Sequence, residues 1–236
     1  CLEPGGGNNI FEYLMNPSAE ITTFTEGCEI KVDPDGLITG IMGTITSGQG
    51  HETLVATIIG EELEFDPDLI RVTHANSLNA PTTRSPVASR MAIMLGSAAA
   101  GAAQKIKNKA LTIAAHNLIC AAEDLEYLEG NVFSRNDPSN ILSWAEICFI
   151  AHKAYHKLPD GIDPGMRAHH VFQVPGGGQL PDEHQRVQIY PCFSFQAHIP
   201  YVEIDPGTGK VSVLDYVVGH DCGTQINPDI VRGMVI

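Results

Sequence analysis

The sequence predicts an α+β fold built from duplicated hairpin-and-helix units. Residues 28–46, CEIKVDPDGLITGIMGTIT, and residues 201–219, YVEIDPGTGKVSVLDYVVG, both read as strand, turn, strand. Asp-Pro-Asp-Gly and Asp-Pro-Gly-Thr-Gly supply the turn chemistry. The first hairpin leads into Gly48-Gln49-Gly50 and the second into HDCGTQINP. The order of strands and helices lacks the regular alternation of a dinucleotide-binding sheet. Unrelated hairpins with similar turns would give the same local pattern.

Taken in order, a first unit spans about 20–120, a linker and helix about 121–185, and a second hairpin unit about 186–236. After the first glycine loop, HETLVATIIGEELEF places Val55, Ile58, Ile59 and Leu63 at helical spacing, with Glu61, Glu62 and Glu64 outside the stripe. Leu69 to His74 reads as a strand, and ANSLNAPTTRSP as a polar loop. Ser85 before Pro86 predicts a helix start, with a capping hydroxyl and proline in the first turn. The helix that follows is rich in alanine and glycine, so other backbone can pack close to it. SWAEICFIAHKAYHKL predicts a further helix from Ser143. Residues 159–185, with several prolines and Gly176-Gly177-Gly178, read as a long irregular stretch.

The bulk chemistry narrows the function. Of 236 residues, 43% are hydrophobic and 18% charged, which suits a globular chain with a sizeable core. A net charge of −14 argues against nucleic acid and against anionic lipid as partners. The apolar run from Met91 is shorter than the roughly 20 residues of a membrane span, and the start has no signal-peptide pattern. Six cysteines without a C-x-x-C pair fit neither a disulfide scaffold nor a zinc ribbon, and predict reduced thiols in a cytoplasmic protein. Both ends look cut, which predicts a piece or a subunit of something larger.

Two places invite a ligand. Ser47-Gly48-Gln49-Gly50 stands just before a helix, where free amides and the helix dipole favour an anion. Glycine there removes the Cβ that would hold a phosphate or a flat ring away, and the Gln49 amide can both donate and accept. Ser85 to Arg90, SPVASR, opens the next helix with free amides and a guanidinium. A glycine turn and a well-capped helix with a surface arginine are the plain alternatives. His169, His170, His198, His220 and Cys222 lack the spacing of zinc sites and read first as structural side chains. A zinc hydrolase built on His169, or on His220 with Cys222, is the weakest alternative.

Together, EIKVDPDGLITGIMGTITSGQGHETLVATIIGEEL, LIRVTHANS, SPVASRMA and YVEIDPGTGKVSVLDYVVGHDCGTQINPDIVRGMV resemble the molybdenum-binding large subunit of the xanthine dehydrogenase, aldehyde oxidase and carbon monoxide dehydrogenase family. The resemblance runs from about residue 20 to the last residue, with no landmark from about 120 to 185. It implies a molybdenum cofactor-binding domain with mixed sheets packed on helices. It also implies a molybdenum–molybdopterin cofactor, often a cytosine dinucleotide in bacterial members. Ser47, Gly48, Gln49 and Gly50, with Ala88, Ser89 and Arg90, are the implied cofactor-binding residues. The implied reaction is hydroxylation beside a heteroatom, or aldehyde oxidation, of a small-molecule substrate. Water is the oxygen source, and electrons pass to [2Fe-2S] and FAD centres on iron–sulfur and flavin partner subunits. The remainder of the molybdenum subunit is a further implied partner, since the family's base glutamate lies beyond the segment matched by Asn227-Pro228. No catalytic residue or metal ligand is implied within this chain.

Two departures stand out. Met234 follows Val231-Arg232-Gly233 where many relatives carry glutamine, which removes one hydrogen bond to the cofactor. Arg90 and Met91 follow Ser89, closer to the carbon monoxide dehydrogenase type than to the xanthine type. A non-catalytic scaffold of the same fold, without cofactor, is the alternative that Met234 and the missing base loop suggest.

Overall fold

The computed structural model describes residues 2–5, 15–16, 18, 25–84, 86–175, 182–186, 190 and 192–236. Its centre is a mixed four-stranded sheet in the spatial order Arg71–His74 (β4), Ile38–Met42 (β3), Thr25–Val32 (β2), Met166–Gln173 (β8). Strands β2 (Thr25–Val32) and β3 (Ile38–Met42) form the first hairpin. Asp33 N–H donates to the Leu37 carbonyl, and Gly36 turns with φ of +87°. Strict alternation puts Cys28, Ile30 and Val32 inward from β2, facing the same core as Ile38 and Met42 of β3. From β3 the chain crosses through helix α1 (His51–Leu63) to β4 (Arg71–His74), which pairs parallel with β3. A parallel neighbour requires such a crossover.

Helix α2 (Met91–Leu118) is 28 residues long and lies across this sheet. Ala98, Ala99, Ala102 and Ala103 are fully buried, so small side chains set the close approach. At Gly101 the approach is closest, because a Cβ there would overlap the His170 imidazole. Lys105 and Lys109 then tie the helix to the far edge by donating to the carbonyls of His169 and Asp163, each at 2.7 Å.

A small antiparallel meander follows: β5 (Leu125–Leu128), β6 (Asn131–Ser134) and β7 (Ile141–Leu142). Helix α3 (Trp144–Lys153) begins at Ser143 as the sequence predicts, with a capping box to Glu146. Its Trp144 packs against Phe65 with ring centroids 5.3 Å apart and planes tilted by 56°, and donates to the Gly36 carbonyl, seating the helix on the first hairpin turn.

The stretch 159–185 is not irregular throughout. Met166–Gln173 forms β8, an edge strand paired antiparallel with β2 along its whole length. Met166, Ala168, His170 and Phe172 face inward, and two polar-looking histidines conceal that alternation. Gly176-Gly177-Gly178 lie outside the described residues.

A second sheet joins β1 (Leu2–Gly5), β9 (Cys192–Ile204) and β10 (Val211–Asp221) in the order β1-β9-β10. The β9–β10 hairpin, with a bulge near Leu214, leads through residues 222–227 to α4 (Pro228–Val235). Each hairpin thus delivers a loop and a helix, as the duplication predicts. Cys28, Cys120, Cys148 and Cys222 are free thiols, and burial pushes Cys28 and Cys148 up to about 12. No helix among the described residues is long and apolar enough to cross a membrane.

Candidate functional site

The first glycine loop turns because two residues adopt positive φ: Gly48 at +98° and Gly50 at +74°. A Cβ on Gly48 would meet nothing within 4 Å, so backbone geometry alone calls for glycine there. At Gly50 a Cβ would also come within 3.2 Å of Ile230 Cδ1. Gly50 caps α1 without a side chain, which leaves the amides of the first helical turn without a side-chain acceptor from the cap. Gln49 Oε1 accepts from the Ser47 N–H at 2.6 Å. His51 is only 5% exposed, and its Nδ1 has no hydrogen-bond partner among the described residues. Burial lowers its pKa, so the imidazole is neutral in the wall of the site.

The second opening departs from the prediction. Helix α2 begins at Met91, not at Pro86, and Ser85 lies outside the described residues. Ala88 and Ser89 are left-handed, with φ of +58° and +48°, and a helix cannot run through them. That conformation costs a non-glycine residue about 1–2 kcal/mol. Strain of this kind concentrates where a backbone is held for a purpose.

Arg90 is buried, at 1% exposure, and its guanidinium is committed inward. It pairs with Glu26 Oε2 at 2.8 Å and donates to the carbonyls of Thr25 and Arg84. Glu26 also accepts from the Thr83 hydroxyl at 2.5 Å and from Arg84 N–H. Burial raises the Glu26 pKa, against the Thr83 bond and the Arg90 charge. This junction bolts the start of β2 to the opening of α2.

Both openings line a single cleft of about 460 Å³. Gln49, Gly50 and His51 come from one, and Pro86, Ser89 and Arg90 from the other. Ser47, Gly48 and Ala88 belong to the same loops but are not among the lining residues. The third wall is Cys222, Thr224 to Asn227, and the Ile230, Val231 and Met234 side of α4. Asn227 caps α4 by accepting from Ile230 N–H at 3.0 Å, with Pro228 in its first turn. His51, Thr224, Gln225 and Asn227 are wall residues that motif reading passes over. The signal for Thr224, Gln225 and Asn227 was the glycine loop after the second hairpin, and for His51 its place directly after the first.

His169, His170 and His198 do not line the cleft, whereas His220 lies beside it, in a neighbouring hollow that shares Gln225 and Val231 with it. His170 packs on Gly101, and His198 bonds to Gln196 and to the Tyr216 hydroxyl. Among the described residues, no three His, Cys, Asp or Glu side chains are grouped to hold a metal ion.

Residues 6–236 match the molybdopterin cofactor-binding domain family. The chain is 36% identical over 210 residues to the carbon monoxide dehydrogenase large chain of Hydrogenophaga pseudoflava, covering 89% of this chain and 24% of that one. To the nicotine 6-hydroxylase large subunit of Paenarthrobacter nicotinovorans it is 27% identical, covering 94% and 26%. In three dimensions it resembles the carbon monoxide dehydrogenase of Oligotropha carboxidovorans, with a TM-score of 0.80 and 29% identity over 99% of this chain and 26% of that one. Quinoline 2-oxidoreductase of Pseudomonas putida 86 gives a TM-score of 0.80 and 28% identity over 99% and 28%. The chain therefore spans about a quarter of the length of these relatives. By this match over nearly all of its length, the chain belongs to the molybdopterin cofactor-binding domain family.

Proposed function

We propose that this chain is the cofactor-binding portion of the large subunit of a molybdenum-dependent hydroxylase or aldehyde oxidoreductase. The observation that carries the reading is the convergence of two helix openings, some forty residues apart in sequence, on one cleft. The chemistry of its walls fits a phosphate-bearing pterin. Gly48 and Gly50 keep Cβ atoms off the loop, and His51 Nδ1 is buried with a hydrogen bond still to make. Because Glu26 already holds the Arg90 charge, Arg90 would serve an anion through its main chain, beside those of Ala88 and Ser89. Ser47, Gln49 and Gly50 would meet the cofactor from the other side. A scaffold that had given up its cofactor would have no use for two strained residues at the mouth of α2. Met234, at the rim, would offer a thioether where a glutamine would offer an amide.

When bound, molybdenum–molybdopterin, in a cytosine dinucleotide or shorter form, would supply the redox chemistry. The residues of this chain bind and orient it. Water would be the oxygen source for a small-molecule substrate. Electrons would leave through [2Fe-2S] and FAD centres on partner subunits in a cytoplasmic complex, in keeping with relatives described as large or gamma subunits. The remainder of the large subunit would cover the β1-β9-β10 sheet, whose apolar residues face outward here.

Metal and pterin content of the assembled complex, read by mass spectrometry, tests the proposal. The wild type should carry molybdenum, and Gln49→Ala should lose most of it while keeping its partners. Full occupancy in the variant, or a molybdenum-free wild type made with cofactor available, would sink the reading.

A further inference from the structure

The loop that presents Gln49 is closed by a chain of hydrogen bonds standing outside the cleft. Thr46 precedes the loop and Glu52 follows it, and the Thr46 hydroxyl donates to Glu52 Oε2 at 2.5 Å. Glu52 Oε1 lies 2.8 Å from His74 Nε2, at the end of β4. His74 Nδ1 in turn lies 2.8 Å from the carbonyl oxygen of Thr44. A backbone carbonyl can only accept, and so can an ionised carboxylate. Both ring nitrogens therefore carry protons in this arrangement, and His74 is an imidazolium.

The local electrostatics agree. The Thr44 carbonyl, and then Glu52, raise the His74 pKa, while the Thr46 hydroxyl, and then His74, hold Glu52 below its ordinary value. The titratable groups facing His74 from α1 are Glu52 and His51, and burial keeps His51 neutral. The β3 side contributes the Thr44 carbonyl.

We propose that His74 is a positioning residue: as a cation clasped between Thr44 and Glu52, it fixes both ends of the Ser47–Gly50 loop and so sets where Gln49 stands for the cofactor. The cofactor part of this inference rests on the proposed function; the loop closure does not. A histidine whose folded pKa is raised gives its full stabilisation at low pH and loses it as pH rises through the raised value. A carboxyl with a lowered pKa gives its share above its ordinary value and loses it as pH falls through the lowered one. The clasp thus holds from below 4.5, where Glu52 gains its proton, to above 6.5, where His74 loses its own.

The test compares His74→Gln, His74→Arg and wild type in the assembled complex, from neutral to alkaline pH. Amide hydrogen exchange of residues 44–52 at matched pH reads the loop, and molybdenum retained after dilution reads the cofactor. At neutral pH, His74→Gln should exchange and release about tenfold faster, the size of one lost charge-assisted hydrogen bond. His74→Arg, a cation that does not titrate in this range, should match wild type there and stay flat where wild type loosens. Equal loop protection in wild type and His74→Gln would overturn the clasp. So would an alkaline loosening that His74→Arg shares. A molybdenum-free wild type would overturn the proposed function instead, while loop exchange would still decide the clasp.

Discussion

Two hairpins with near-identical local chemistry end in opposite environments. In β2–β3, with its Asp33 to Gly36 turn, Cys28, Ile30, Val32 and Met42 are fully buried under α1 and α2. In β9–β10, with its Asp205 to Gly209 turn, Phe195, Ile199, Tyr201 and Val213 are all 60% exposed or more. Paired neighbours share a face: Ile199 sits opposite Val217 on one, and Val202 opposite Val213 on the other. The second sheet is therefore apolar on both sides, a pattern that belongs to strands enclosed on both faces. Turn chemistry makes a hairpin. What the hairpin is for depends on what arrives to cover it.

Three substitutions would break or sharpen that contrast. The largest effect should fall at the buried junction. Arg90→Ala leaves the enclosed Glu26 carboxyl without its partner, and should cost about 3–5 kcal/mol in denaturant unfolding of the subunit. A loss under about 1 kcal/mol would mean that water reaches Glu26 and that the first region is looser than its packing implies. Next, Gly101→Ala pushes a methyl into the His170 ring and should cost about 1–3 kcal/mol, read as a lower melting temperature. No change would show that α2 can lift off β8. The smallest effect should come from Tyr201→Ser in this segment alone, within about 0.5 kcal/mol, because the side chain is 67% exposed. In the complete subunit the same change should cost about 2 kcal/mol if other chain buries that face. Equal costs in both settings would leave the sheet bare and remove the contrast.

Much of the architecture was legible because it is written in local rules. Asp-Pro turns mark both hairpins, Ser143 and Glu146 mark the start of α3, and alanine along α2 announces close packing. Strand β8 was hidden because His169 and His170 read as polar when one of them faces a glycine. The opening of α2 was misplaced because Ser85-Pro86 is a sound start signal, and nothing in Ala88-Ser89 announces left-handed backbone. Nothing in the local sequence marks Glu26 as the partner of Arg90, 64 residues away.

By itself the sequence determined both hairpins, most of the helices and the glycine loops, since turn residues, caps and periodicity act over a few neighbouring positions. Only the tertiary structure decided that residues near 49, 89 and 225 share one cleft, that Arg90 turns its charge inward, and that His74 reaches Glu52. Those outcomes depend on which distant backbone comes within a few ångströms, and local chemistry does not encode that distance.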